Sequence, residues 1–341
     1  MEDGPRVNRV LSAALGFLLL LTMGCTRYVR IDDLAEEYYN LGNAFYDLEE
    51  YEEAERYYLR ALELDPELER AGFNLARALA EQERYAESLT LLQELLLSDP
   101  DNLRILQGVA YVEYRRGDID AAISGYEQVL DASPFGRDAL YNLGVLLLED
   151  GSEPEARGYL ARAYDVSPDD PDVLYAYAEA LFRTGRSEAG LSVLDDLREI
   201  RDLPEVYLRN AAGRYAEAEF YSDALVLYDR LLEDSPDDPE ALFAKARILL
   251  TAAEEGDAGI AALESALEAG FADADAAELL LAEPALIRAD EVRELFTEYG
   301  VEPAADPGGA DPGGTGPTGT DSAGVSPSAV PPASESSDSG S

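Results

Sequence analysis

The chain has 341 residues, 47% of them hydrophobic, and carries 71 Asp plus Glu against 26 Lys plus Arg, a formal charge of −45. That length admits one to three ordinary domains, and the charge repels nucleic acid and anionic lipid surfaces. Histidine is absent and cysteine occurs once, which excludes imidazole triads and shuttles, CxxC sites and internal disulfides; acids this numerous form chance pairs, so no carboxylate dyad is read as catalytic, and neither metal nor cofactor is expected.

The first feature along the chain is an apolar run, VLSAALGFLLLLTMG, that follows Arg6 and Arg9 and ends at Gly24 beside the lone Cys25. At fifteen residues it is short for a bilayer span, which needs ~20, and it fits the apolar core of a signal peptide. Leu21, Thr22, Met23, Gly24 and Cys25 resemble the lipobox of bacterial lipoproteins, with Leu21 one place further from the cysteine than the commonest pattern. That resemblance implies cleavage after residue 24, acylation of Cys25 and a short tether over residues 25–34. Stable anchoring then follows from several acyl chains, because a single one holds a membrane only marginally. Thr26, where aspartate is associated with inner-membrane retention, favours the outer membrane. An uncleaved signal anchor and a chance buried cysteine are the alternatives.

Beyond the tether the sequence repeats. Pro66, Pro100, Pro134, Pro168 and Pro236 are separated by 34, 34, 34 and 68 residues. Tyr38, Leu41, Gly42, Phe45, Tyr51, Ala54, Tyr58, Ala61 and Pro66 resemble the tetratricopeptide repeat position by position. The frame opens at Ala35, Glu69, Leu103, Arg137, Pro171, Glu205 and Pro239. Apolar residues at three-to-four spacing predict an antiparallel helix pair in each repeat. The proline ends the second helix, and Asp or Asn beside it caps the next. Asp202 stands where the fifth repeat expects proline, so a different turn is expected there; Lys245 replaces an apolar residue in the seventh, and AAEEGDAG predicts a longer loop.

The resemblance implies an all-α fold: a right-handed superhelical solenoid of six to seven helix pairs over residues 35–272, closed by capping helices over 273–301. Residues 302–341 are rich in Pro, Gly, Ser and Ala, with no basic or aromatic residue, and are expected to be disordered.

In this family the first helices line a concave groove, reached from frame positions 2, 5, 6, 9, 12 and 13. Those positions hold Asn40, Asn74, Asn142 and Asn210, the aromatics Tyr39, Phe73, Tyr111, Tyr114, Tyr141 and Tyr175, and Asn43, Arg77 and Arg104. Amides bond an extended peptide backbone, and aromatic faces supply contact area at low entropic cost. Asn43, Asn74 and Arg104 also match three places of a carboxylate clamp known in the family, with Tyr39 and Gly108 at the two places where it has basic residues. The alternatives are that the asparagines bridge neighbouring helices, that some aromatics pack between repeats, and that the arginines pair with nearby acids. The expectation is a non-enzymatic adaptor, lipid-anchored on the periplasmic face of a bacterial envelope, holding a protein or peptide partner. The alternative is a self-associating or spacing role that leaves the groove unused.

Overall fold

A computed structural model describes residues 31–301 of the chain. The leader, Cys25, the first part of the tether and the tail of residues 302–341 lie outside the described residues.

Sixteen helices and no strand occur among the described residues. They are α1 (Ile31–Asp47), α2 (Tyr51–Leu64), α3 (Glu69–Glu81), α4 (Tyr85–Ser98), α5 (Leu103–Arg116), α6 (Ile119–Ala132), α7 (Arg137–Glu149) and α8 (Glu153–Val166). They continue as α9 (Pro171–Arg183), α10 (Ser187–Arg198), α11 (Glu205–Glu217), α12 (Tyr221–Asp234), α13 (Pro239–Thr251), α14 (Gly256–Glu268), α15 (Ala274–Ala282) and α16 (Ala289–Glu298). The fold is an all-α repeat solenoid of helix pairs. Two compact units divide within α6, one up to Gly125 and one from Tyr126 onward.

Each pair is held by small residues where its helices cross. An added Cβ at Gly42 would lie 2.5 Å from the Tyr58 ring, and one at Gly144 would lie 2.5 Å from Leu160. Ala54, Ala61, Ala156 and Ala163 are fully buried on the second helices. The turn within each pair passes through a left-handed residue: Gly117, Gly151 and Gly185 in three repeats, and Glu49, Glu83 and Glu219 in three others. Glycine adopts this conformation without cost, whereas a residue with a Cβ loses about 1–2 kcal/mol there. In the seventh pair the left-handed residue is Glu254 and α14 starts at Gly256. The turn is one residue longer than its counterparts, which takes the second helix out of the 34-residue frame.

Capping residues start several first helices. Asn102 accepts from the Ile105 amide, Asp170 from those of Asp172 and Val173, and Asp238 from that of Ala241. At the departing turn of the fifth repeat, α10 stops at Arg198. The Arg230 guanidinium of α12 donates to the carbonyls of Arg198, Ile200 and Arg201, satisfying one acceptor that the helix end leaves open and two in the turn beyond it.

In the N-terminal unit a core forms around Tyr39, Ala54, Tyr58, Ala61, Leu75 and Leu79. In the C-terminal unit one core runs from Leu174 to Ile248, and another joins Leu250, Leu263, Phe271, Ala277, Leu280, Val292 and Phe296. The second places the inner sides of α15 and α16 against α13 and α14. Phe243 stacks on Phe271 at 4.0 Å, the Ile287 amide donates to the Leu250 carbonyl, and Glu278, Glu294 and Glu298 face solvent. A terminal cap needs this division, because an array's end would otherwise expose its apolar face.

Candidate functional site on the first helices

Side chains about one repeat apart bond to one another, which sets the first helices of each unit side by side in register. In the N-terminal unit Arg70 pairs with Glu36, Asn74 donates to Asn43 at 2.8 Å, and Arg115 pairs with Glu81 at 2.8 Å. In the C-terminal unit Arg183 donates to the Leu148 carbonyl at 3.1 Å, Arg214 pairs with Glu179 at 2.6 Å, and Tyr207 donates to Asp172. Arg70 with Glu36 and Arg115 with Glu81 are each separated by 34 residues, so equivalent frame positions meet across the repeat boundary.

Many of the residues expected to offer themselves to a guest lie inside this packing. Asn74 is 1% exposed and Tyr141 is 3% exposed; Tyr39, Phe73, Tyr111, Asn142 and Tyr175 are likewise buried, as is Arg77 at 9%. The Asn74 amide donates to Asn43 Oδ1 and to Tyr39 Oη at 3.3 Å, and Asn43 also accepts from Tyr58 Oη at 2.9 Å. Asn74 thus bridges neighbouring first helices, the alternative open at the level of sequence. The Asn40 side chain is exposed, while Asn43, Arg104, Tyr114 and Asn210 are partly exposed. Of the thirteen residues expected along the groove, the structure therefore leaves five accessible.

Phe73 explains one departure from the carboxylate clamp. A Cβ built on Gly108 would stand 2.9 Å from Phe73 Cε2 and 3.4 Å from Leu92 Cδ2. The place where the clamp has a basic side chain is occupied by an aromatic ring of the preceding repeat. Tyr175 meets the next first helix in a similar way, its ring 5.8 Å from that of Tyr207.

The arginines of the N-terminal unit lie over aromatic rings. Arg77 stands 4.4 Å from the centroid of Tyr46, Arg104 4.5 Å from Phe73, Arg70 5.0 Å from Tyr39 and Arg115 5.7 Å from Tyr111. Such contacts gain from desolvation, reaching ~2 kcal/mol when water is excluded. Arg70 and Arg115 also pair with acids, whereas Arg77 makes no ion pair with a described residue and its Nε is buried without a hydrogen-bond acceptor. Burial pushes the Tyr111 phenol up to about 12, against the nearby Arg115 charge, and Tyr175 also up to about 12; it raises Tyr46 and Tyr141 further. These phenols are neutral donors at physiological pH.

Two features escaped sequence reasoning. Glu179, 4% exposed, accepts from Arg183 and Arg214 and anchors the first-helix face of the C-terminal unit; only its i,i+4 spacing to Arg183 could have marked it. An open cleft on the first repeat is lined by Tyr38, Arg56, Tyr57, Leu59, Arg60 and Glu63, with Tyr57 stacked on Phe45 at 5.0 Å. Among the described residues no group of three or more acids or thiols is placed to hold a metal ion, and no helix is long and apolar enough to cross a membrane.

Models described as "Tetratricopeptide repeat" match residues 35–68, 70–102, 110–171, 147–210 and 209–277. Protein O-mannosyl-transferase Tmtc3 of Drosophila melanogaster is 31% identical over 140 residues, 40% of this chain and 15% of that protein. Intraflagellar transport protein 70A of Bos taurus is 32% identical over 177 residues, 49% of this chain and 26% of that protein. The chain thus spans only about a quarter or less of these curated relatives. Among solved structures, PilF of Pseudomonas aeruginosa superposes with a TM-score of 0.50 at 18% identity, covering 60% of this chain and 94% of that one. The matched residues, the register of the helix pairs and the shared fold agree: this chain belongs to the tetratricopeptide-repeat family, a scaffold for protein interaction.

Proposed function

We propose that the protein is a non-enzymatic adaptor that holds a peptide segment or partner protein on its first-helix face. Acylation of Cys25 tethers it, after loss of residues 1–24, to the periplasmic face of a bacterial envelope, at the outer membrane. The observation that carries this reading is the register of the first helices in the N-terminal unit, whose cross-repeat pairs 34 residues apart align equivalent positions into a surface. Asn40, Asn43, Arg104 and Tyr114 supply amides, a guanidinium and a phenol from two repeats of that surface, and Asn210 supplies an amide on a first helix of the C-terminal unit. Such a set suits an extended backbone, which carries a donor and an acceptor at each residue.

A second reading, an array that spaces complexes or self-associates, draws support from the burial of Asn74 and Tyr141, since these two side chains are taken up by the packing between helices. The test replaces Asn40, Tyr114 and Asn210 together by alanine, positions whose exposure spares the core. Recovery of envelope partners on the affinity-tagged chain should fall at least tenfold while the helical circular dichroism and melting curve stay in place. Undiminished recovery would favour the spacer. Metabolic labelling with a palmitate analogue, present in the parent and absent from Cys25→Ser, tests the anchor.

A further inference from the structure

Arg77 is more than nine-tenths buried and makes no ion pair with a described residue, and its Nε has no acceptor. Its ring partner Tyr46 softens the cost of that burial but supplies no counter-charge. Leaving a charge out of water without a partner costs several kcal/mol in real proteins. A chain with 71 acids against 26 bases has no shortage of carboxylates, yet two on the neighbouring first-helix turns are engaged elsewhere, Glu36 by Arg70 and Glu81 by Arg115. Close by, Asn74 Oδ1 is also buried without a donor. The face therefore presents a desolvated cation bordered by the part-exposed guanidiniums of Arg70 and Arg104, an arrangement complementary to an acidic segment.

We propose that residues 302–341 of the same chain fold back onto this first-helix face of the N-terminal unit, a carboxylate of the segment meeting Arg77, so that the protein's own tail competes with incoming partners. This inference rests on the reading of that face as a binding surface. The segment contains six acidic residues and no Lys or Arg, so it carries the complementary charge. Its Pro, Gly and Ser composition suits an extended guest. Forty residues reach about 140 Å when extended, enough to pass helices α3 to α16 even in single file at ~9 Å spacing. Tethering gives an effective concentration on the order of 1 mM, and it weakens an acidic competitor about tenfold where that concentration exceeds the segment's own dissociation constant by the same factor.

The experiment compares the full chain with a full chain in which the six acids are neutralised (E302Q, D306N, D311N, D321N, E335Q, D338N). The probe is a fluorescein-labelled synthetic peptide of residues 302–341 with its native acids, at 0.15 M salt. The neutralised chain should bind the peptide about tenfold more tightly than the parent, independently of protein concentration, and Arg77→Gln added to it should abolish the gain. If Arg77→Gln lowers the melting temperature appreciably, Arg70→Gln with Arg104→Gln, both part-exposed, should abolish it instead. Equal affinity of parent and neutralised chains would overturn the proposal. So would a gain that survives both sets of arginine changes, or one that varies with protein concentration as exchange between copies would. Recovery of envelope partners is a separate readout: partners captured without any gain would sink the tail inference and leave the adaptor standing.

Discussion

Gly108→Ala should destabilise the protein, although alanine is the better helix former. The new Cβ would sit 2.9 Å from Phe73 Cε2 and 3.4 Å from Leu92 Cδ2, where carbon atoms settle at about 3.5–4.0 Å. Phe73 is wholly buried and Leu92 nearly so, so neither can swing into solvent. Overpacking of this kind costs about 1–3 kcal/mol. Against it stands the gain of about 1 kcal/mol from replacing glycine within a helix, and the balance is a net loss of about 1 kcal/mol. Gly158 in α8 is the internal control: it is exposed, and a Cβ there would meet nothing within 4 Å. Gly158→Ala should therefore gain up to about 1 kcal/mol. Urea titrations followed by far-ultraviolet circular dichroism would read the pair as midpoint shifts of opposite sign, roughly 0.3–0.5 M each for a slope of 2–3 kcal/mol/M. Trimming the ring with Phe73→Leu should make Gly108→Ala less costly, and the double variant would then lose less than the sum of the singles by at least about 0.5 kcal/mol. A Gly108→Ala protein as stable as Gly158→Ala would refute the packing argument, and with it the reason the clamp's basic residue is absent.

Two further outcomes follow from the turns and the buried phenols. Gly151→Ala places a Cβ in open space but at φ +81°, so its cost is purely conformational, about 1 kcal/mol; the thermal melt should fall modestly, and an unchanged melt would contradict the left-handed assignment. Burial holds the Tyr111 and Tyr175 phenols at about 12 in the folded chain, above their unfolded value near 10. Their contribution to stability is complete below pH 10 and is lost as pH rises towards 12, because only the unfolded chain gains by ionising. Absorbance at 295 nm should show Tyr111 and Tyr175 ionising only as the helical signal collapses; ionisation of all tyrosines in one step with the helices intact would be the wrong result.

The repeat was legible because its signals are local and recur. Gly42, Ala54, Tyr58 and Ala61 mark where two helices cross, and that spacing is written directly in the sequence. The starts of α3, α5, α7, α9, α11 and α13 fall at Glu69, Leu103, Arg137, Pro171, Glu205 and Pro239, the residues at which the frame opens. The extra residue before Gly256 was visible as a loop-rich stretch but not countable, since which residue takes the left-handed turn depends on how α14 packs. Accessibility along the first helices was the less legible part. Frame position says which way a side chain leaves its own helix, but not whether a neighbour has already filled the space: Phe73 fills the hollow above Gly108, and Asn74 reaches Asn43 and Tyr39. Those are contacts between residues about one repeat apart, and they depend on the pitch of the stack. Arg77 shows the same limit from the other side. Its frame position suggested a groove residue open to a guest, with a surface pair as the alternative, whereas the structure buries it over Tyr46.

The adaptor reading is tested most directly by photocrosslinking in living cells, with a photoreactive amino acid placed in turn at Asn40 and Tyr114 on first helices, and at Leu97 and Val226 on exposed positions of second helices. The account predicts discrete crosslinked partners at 40 and 114, few or none at 97 and 226, and loss of the former when Asn43 and Arg104 are replaced by alanine. Crosslinks spread evenly over both kinds of helix, or confined to 97 and 226, would contradict it.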